Sequence, residues 1–361
     1  MRRQLLRRRP RVPRRHRFRV RLSILDLICA ASLTPKALIS YTLWFRGRRI
    51  LDAILETLQQ PQYGLAKATD VLLTGCSAGG LATYLHADHV GAHLRKVAPA
   101  LRRFKAAPDA GFFLMQPNAE GLPVYPDQMR EIFRLSNASG GVNAACIAAQ
   151  KEGEEFRCNF AENNYPHLFS TFDTDGLDTG IFVINSALDS YQTSCILQAE
   201  PVIPGGTHTG FGNGNCSSSP SFSAGCRGKE LEHACNASDF RLLAGYERKF
   251  LETVHGAGSY TADVRLPRVL ACASSSFATP LCAAGQGNGA FTYSCHTHCA
   301  GSGQGFADIK MSDHQGNRVT MREAVGRWWR APATTKAEVN NYQPCIWSGP
   351  DEKPCCVAPP P

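Results

Sequence analysis

Apolar positions recur along this chain in two alternating patterns. In "RGRRILDAILETLQQ" (46–60), Ile50, Ala53, Ile54 and Leu58 fall at helical spacing with Arg and Glu between them. Pro61 and Gly64 close that helix. "DVLLTG" (70–75) is a short apolar run ended by glycine, the pattern of a buried strand. "GGLATYLHADHVGAHLRKV" resumes helical spacing through Leu81, Leu85 and His89. "DAGFFL" (109–114) and "TGIFVIN" (179–185) predict two more buried strands, and "DFRLLAGYERKFLETV" (239–254) and "MREAVGRWW" (321–329) predict helices. Strands alternating with helices imply an α/β fold, a mostly parallel sheet covered on both faces. Residues 1–40 lack the pattern and read as a tail, leaving 41–361 as the folded domain. Residues 205–228 form a Gly/Ser-rich surface excursion, with Cys216 and Cys226 as its expected pins.

Charge changes the picture less than the total suggests. The net charge is +9, but residues 1–22 carry 11 Arg and no acid, so the rest holds 28 basic residues against 30 acidic ones, net −2. Nothing there resembles a basic nucleic-acid stripe, and no nucleic-acid partner is expected. The segment "LSILDLICAASL" (22–33) has the length of a signal-peptide apolar region, interrupted by Asp26. Signal peptide, membrane anchor, organellar transit segment and mis-assigned start all fit it. A membrane association is expected only if residues 22–33 act as an anchor. No other apolar run reaches the 18 residues a spanning helix needs. Fifteen cysteines, most from Cys146 onward, read as a disulfide framework in an oxidising compartment, hence a secreted protein. Sequons at Asn137, Asn215 and Asn236 agree with secretion and glycosylation.

The chemistry centres on "DVLLTGCSAGGLATYL" (70–85). Gly75-Cys76-Ser77-Ala78-Gly79 is a G-x-S-x-G pentapeptide between a predicted strand and a predicted helix, the setting of a nucleophile elbow. Glycines two before and two after the serine are expected where the turn brings backbone segments too close for side chains. Ser77 would then project above the sheet, with the Ala78 N–H and the positive helix end facing an oxyanion. A bare glycine-rich β–α turn, or a phosphate-binding turn, is the alternative, and no lysine supports the latter. A serine nucleophile needs a base, and the base an acid to orient it. Asp189 follows the predicted strand in "IFVINSALDSYQ"; Asp173, Asp175 and Asp178 precede that strand and so lie at its other end. The base is sought among His208, His233, His255, His296, His298 and His314. "TYSCHTHCAG" stands out because Cys295 and Cys299 flank His296 and His298. Those four as zinc ligands are too close together for one tetrahedral ion, so no metal is expected, and a serine-esterase mechanism requires no cofactor.

Three blocks, "GCSAGGLATYLHADHV", "INSALDSYQ" and "SCHTHC", resemble signatures of the pectin acetylesterase family, which also includes the animal Notum carboxylesterases. "LWFRGRRILDAILETL", "PDAGFFL", "MREAVGRWW" and "PCIWSGPDEKPCC" extend the resemblance over residues 41–357. It implies an α/β-hydrolase-like three-layer fold with Ser77 as nucleophile, Asp189 as acid and His298, rather than His296, as base. Tyr191 stands where plant members favour Trp, and Ala300 where they have Gln. Family members also carry, upstream of the nucleophile, a Gly-Gly-Gly-Trp loop that donates to the oxyanion hole. No such motif precedes Ser77, so the fold is expected to be incomplete on its N-terminal side. The implied activity is a secreted serine esterase removing acetyl groups from cell-wall pectin. A Notum-like deacylase of a protein or lipid and a catalytically impaired, glycan-binding remnant are the alternatives. As written, the chain is expected to be poorly soluble and nearly inactive, and an upstream-extended form active. Cys295 is expected in a disulfide that holds the His298 loop, and Cys76 as a buried free thiol.

Overall fold

The computed structural model describes residues 44–169, 176–200, 222–223, 226, 235–255, 288–312 and 317–331. Helix α1 spans Gly47–Leu58, β1 Asp70–Cys76 and α2 Ala78–Val97. Then come β2 Arg103–Asp109, α3 Val124–Ser136, β3 Asp178–Ser186, α4 Ala237–His255, β4 Gly289–Tyr293 and α5 Met321–Arg330. Short strands Lys310–Ser312 (β5) and Arg318–Thr320 (β6) pair antiparallel before α5. The main sheet runs β1-β2-β3-β4 with every pair parallel.

Alternation along the strands assigns the layers. Phe104, Ala106, Ile181, Val183 and Ala290 pack with Tyr84, Ala87 and Leu94 of α2 and with Leu243, Phe250 and Leu251 of α4. Their neighbours Ala107, Phe182, Ile184 and Phe291 point the other way, onto Met311, Val319, Ala324 and Trp328. The result is a three-layer α/β sandwich with a parallel sheet and a core on each of its faces.

Two expectations fail here. The second strand is Arg103–Asp109, not 109–114. Its buried Lys105 and its Pro108 break the apolar pattern, and Ala107 and Pro108 have no β3 partner. Proline has no N–H to give a ladder. The apolar run beyond it is buried without pairing as a strand. Phe112 N donates to Asn185 Oδ1 at 3.0 Å and Leu114 N to Gln192 Oε1 at 3.1 Å. Side chains thus satisfy the backbone that a ladder would otherwise serve. The second failure concerns Cys226, which bonds to Cys235 at a Cα separation of 4.5 Å rather than pinning a loop with Cys216.

Lys105 is fully buried and crosses from sheet to helix. Its ammonium contacts Asp178 Oδ1 at 3.1 Å and donates to the carbonyls of Trp328 (3.3 Å) and Ala331 (3.1 Å), so it fastens the end of α5 under β2. Asp178 is also held by Arg103 at 2.6 Å, at the end of β3 opposite the candidate site. The burial expected of β1 fails as well: among the described residues it is an edge strand with no residue buried, and Leu72 on it is 41% exposed. Helix α1 exposes Ile50, Ile54 and Leu58, and Trp44 and Phe45 just before it are exposed too. No helix of the described residues is long and apolar enough to cross a membrane; residues 22–33 lie outside them.

Candidate active site

In a parallel sheet every strand ends on the same edge, and ligands bind outside those carboxyl ends. Ser77 follows β1, Asp109 ends β2, Asp189 follows β3 and His298 follows β4. Four adjacent strands thus deliver four chemically capable side chains to one edge.

Ser77 has φ 59° and ψ −121°, a region that side-chain-bearing residues rarely occupy. Its N–H donates to the Asp109 carbonyl at 3.0 Å, and its carbonyl accepts from Leu81 N at 2.9 Å. The turn is thereby locked between β2 and the first turn of α2. The glycines that permit it are not quite those expected. A Cβ on Gly75 would meet the Gly79 backbone at 2.5 Å, and one on Gly80 or Gly111 would overlap the other's backbone. Gly79 itself has open space around its Cβ position. Ala78 is the first residue of α2, so its N–H is among those a helix leaves without an internal partner.

Asp189 is sealed, its side chain 1% exposed, whereas that of His298 is 23% exposed. Asp189 Oδ1 accepts from Gln192 N at 3.0 Å, capping a short helical turn, and Oδ2 lies 2.7 Å from His298 Nδ1. A carboxylate only accepts, so Nδ1 carries the hydrogen and Nε2 keeps its lone pair. Burial acts to lower the His298 pKa, but the Asp189 hydrogen bond and charge, with the charge of Asp109, raise it above its ordinary value. Burial also pushes the Asp189 carboxyl up, against the hydrogen bond from His298. His296 turns away to Thr193 Oγ1 at 3.0 Å. His255 lies at the end of α4; His208, His233, His314, Asp173 and Asp175 lie outside the described residues.

The loops bearing Asp189 and His298 are joined at several points. Ala187 N donates to Tyr293 O at 2.6 Å, Ser190 N to Thr297 O at 3.2 Å, and Ser186 Oγ to Cys295 O. Gln192 Oε1, while accepting from Leu114 N, also accepts from the buried Tyr246 hydroxyl at 2.7 Å. Asn185, Ser186 and Gln192 of "INSALDSYQ" are therefore buried hydrogen-bonding groups that shape this corner, a role their sequence pattern did not disclose.

The expectation for Cys76 is overturned: it is disulfide-bonded to Cys299, with Cα atoms 5.6 Å apart. The residue before Ser77 is thus joined covalently to the residue after His298. A His298 ring nitrogen and both sulfurs lie within 4.8 Å of one another. These atoms do not form a metal-ligand set, because the two sulfurs are bonded to each other and are not thiolates. Cys295 is disulfide-bonded as well, as is Cys195. Among the described residues, Ser77 and His298 are not hydrogen-bonded to each other. Such contacts often close only when substrate is bound.

Comparison with known proteins gives the lineage. A family model described as Pectinacetylesterase matches residues 34–262. Pectin acetylesterase 5 of Arabidopsis thaliana is 26% identical over 80% of this chain and 53% of its own length. Pectin acetylesterase 11 of the same plant is 25% identical over 80% of this chain and 59% of its own. Palmitoleoyl-protein carboxylesterase NOTUM of Schmidtea mediterranea is 27% identical over 47% of this chain and 31% of its own. The solved structure of the Wnt deacylase Notum from Drosophila aligns with a TM-score of 0.49 at 16% identity, over 80% of this chain and 60% of that one. The chain spans a little over half the length of the Arabidopsis relatives it matches. Since the family model covers more than half of its residues, the chain belongs to the pectinacetylesterase family.

Proposed function

We propose that the chain, over residues 41–361, is a serine carboxylesterase that removes acetyl esters from pectin in the cell wall after secretion, with Ser77, His298 and Asp189 as its triad. Ser77 Oγ attacks the acetyl carbonyl carbon while His298 Nε2 takes its proton. The negative oxygen of the tetrahedral intermediate faces the Ala78 N–H at the start of α2. His298 then returns the proton to the departing sugar hydroxyl. Water, deprotonated by His298 in turn, hydrolyses the acyl-enzyme. Asp189 holds the imidazole in the required tautomer and offsets its positive charge.

The observation that carries this reading is the Asp189–His298 hydrogen bond in a loop whose next residue is disulfide-bonded to the residue before Ser77. Family membership and the Arabidopsis relatives support the acetyl ester as substrate. The disulfides among the described residues are consistent with an extracellular site of action. A second reading, deacylation of an acylated protein, draws on the likeness to the planarian carboxylesterase and on the absence of net positive charge after residue 22.

Labelling with a fluorophosphonate tests the nucleophile without requiring high turnover. The adduct is expected on the Ser77 peptide, with labelling lost in Ser77→Ala and slowed by about a hundredfold or more in His298→Gln. Labelling that persists in Ser77→Ala would overturn the triad. Release of acetate from acetylated pectin, set against release of a fatty acid from an acylated peptide, separates the two substrates.

A further inference from the structure

The triad leaves one strand end unused. Asp109 closes β2, between the strand that carries Ser77 and the strand that precedes Asp189. Its Cα is in register with Cys76 on one side and Ile184 on the other. The residue is 4% exposed. Its carboxylate faces the Gly301 and Ser302 amides. A Cβ on Gly301 would stand only 3.0 Å from the Asp109 carboxyl carbon. Neither oxygen makes a well-aligned hydrogen bond with a described group. A buried carboxylate so thinly served requires a reason, because desolvating it is costly.

The geometry points to Asp109 as a positioning residue for the base: from the end of β2 its carboxylate holds the turn that follows His298 and adds a second negative charge to the field in which that imidazole works. This rests on His298 being the base of the esterase proposed above. Hydrogen bonding by Asp189 orients the ring at Nδ1, whereas Asp109 acts on the chain just beyond it, where Cys299 joins Cys76 and the backbone turns through φ 61°. Gly301 is the glycine that lets that turn approach the carboxylate.

The groups facing the pair can be named from each element. Asp109 meets His298 and Asp189 from the two loops, and the Tyr84 hydroxyl of α2 and the Tyr293 hydroxyl of β4. His298 is acted on by Asp189 and Asp109 and lies beside the Tyr191 ring, with centroids 5.7 Å apart. Burial pushes Asp109 up to about 6, against the charge of His298 and the Gly301 and Ser302 amides. Above that pH the carboxylate is charged, and its charge favours the imidazolium.

Proton NMR titration of the His298 ring in the full chain, assigned by its loss in His298→Gln, tests this with no need for activity. In Asp109→Asn the His298 midpoint is expected to move to lower pH, with the hydrogen bond to Asp189 retained. An unchanged midpoint in a folded Asp109→Asn protein would overturn the proposal, since a merely space-filling residue would leave it unmoved. Should Asp109→Asn not fold, the wild-type Gly301 and Ser302 amide shifts decide. They are expected to titrate with a midpoint near that of Asp109, and amides that do not move between pH 4 and 8 would equally overturn it. Failure of Ser77 labelling would leave these titrations in place, so the two readings fail separately.

Discussion

Ser77 sits in a backbone conformation that costs a side-chain-bearing residue about 1–3 kcal/mol and costs glycine almost nothing. Ser77→Gly is therefore expected to remove fluorophosphonate labelling and yet stabilise the fold by about 1 kcal/mol, after allowing for glycine's freer unfolded chain. A urea midpoint read with disulfides intact checks this, and a lower midpoint would refute stored strain. Asp109 carries a second cost. Its folded pKa is raised from 3.8 to about 6, so the stability it contributes is full below 3.8 and is lost as pH rises through 6. Asp109→Asn does not suffer that loss, and its stability relative to wild type is expected to improve by on the order of 2 kcal/mol between pH 4 and pH 7.5. Equal offsets at the two pH values would count against it. Under the proposed mechanism His298 must be neutral to act, and its pKa is raised, so kcat/KM is expected to climb with pH to a midpoint above the ordinary 6.5. Ser77 and Asp189 could be singled out in the sequence because each is marked by something local, a glycine-flanked turn and a preceding apolar strand; the flanking cysteines marked His296 and His298 alike, and the family resemblance chose between them. Asp109 carries no such mark. Its meaning comes from Cys76 alongside it and Gly301 below it, 33 and 192 positions away in the chain.

At the scale of elements, periodicity located α1, β1, α2, β3, α4 and α5 to within a residue or two, because each has one apolar stripe or one unbroken apolar run. It misplaced β2 for a physical reason that Lys105 makes plain. Burying a lysine is favourable only when its charge and hydrogen bonds are met, and here the partners are Asp178 and the carbonyls of Trp328 and Ala331. All of them are distant in sequence, so no local pattern could signal them. The same lysine joins sheet to helix. Lys105→Met keeps the stem but leaves two carbonyls and part of Asp178 unserved. It is expected to cost about 3 kcal/mol, the low end for breaking a buried pair because Arg103 still holds Asp178. Chemical denaturation should show that loss, and a change below about 1 kcal/mol would mean that α5 is held by Trp328 packing alone.

For the molecule as a whole, the two sides of the sheet differ. The β4 side is enclosed, with every residue from Gly289 to Tyr293 buried, whereas the β1 side is open among the described residues. Leu72 on that edge strand is 41% exposed; on α1, which is tied to α2 through Asp52–His89 and Gln59–His93, Ile50 and Ile54 are 58% and 49% exposed, and Trp44 and Phe45 before it more than half. An exposed apolar helix face is a surface that associates with other apolar surfaces, and with copies of itself where none other is offered. The charge balance offers little opposition, since the chain beyond residue 22 is close to neutral. The chain is therefore expected to self-associate at micromolar concentration through the exposed face of α1, and the candidate site at the carboxyl ends of the strands is not required for that contact. Replacing Ile50 with Glu and Ile54 with Lys tests the point. The two positions are one helical turn apart, and the pair places the acid N-terminal to the base, the favourable order on a helix. Both side chains are largely exposed, so the change in stability is expected to stay within about 0.5 kcal/mol. Sedimentation velocity should then show a smaller weight-average mass with Ser77 labelling unaltered. An unchanged mass would move the association to another surface and leave α1 as an exposed face without consequence in solution.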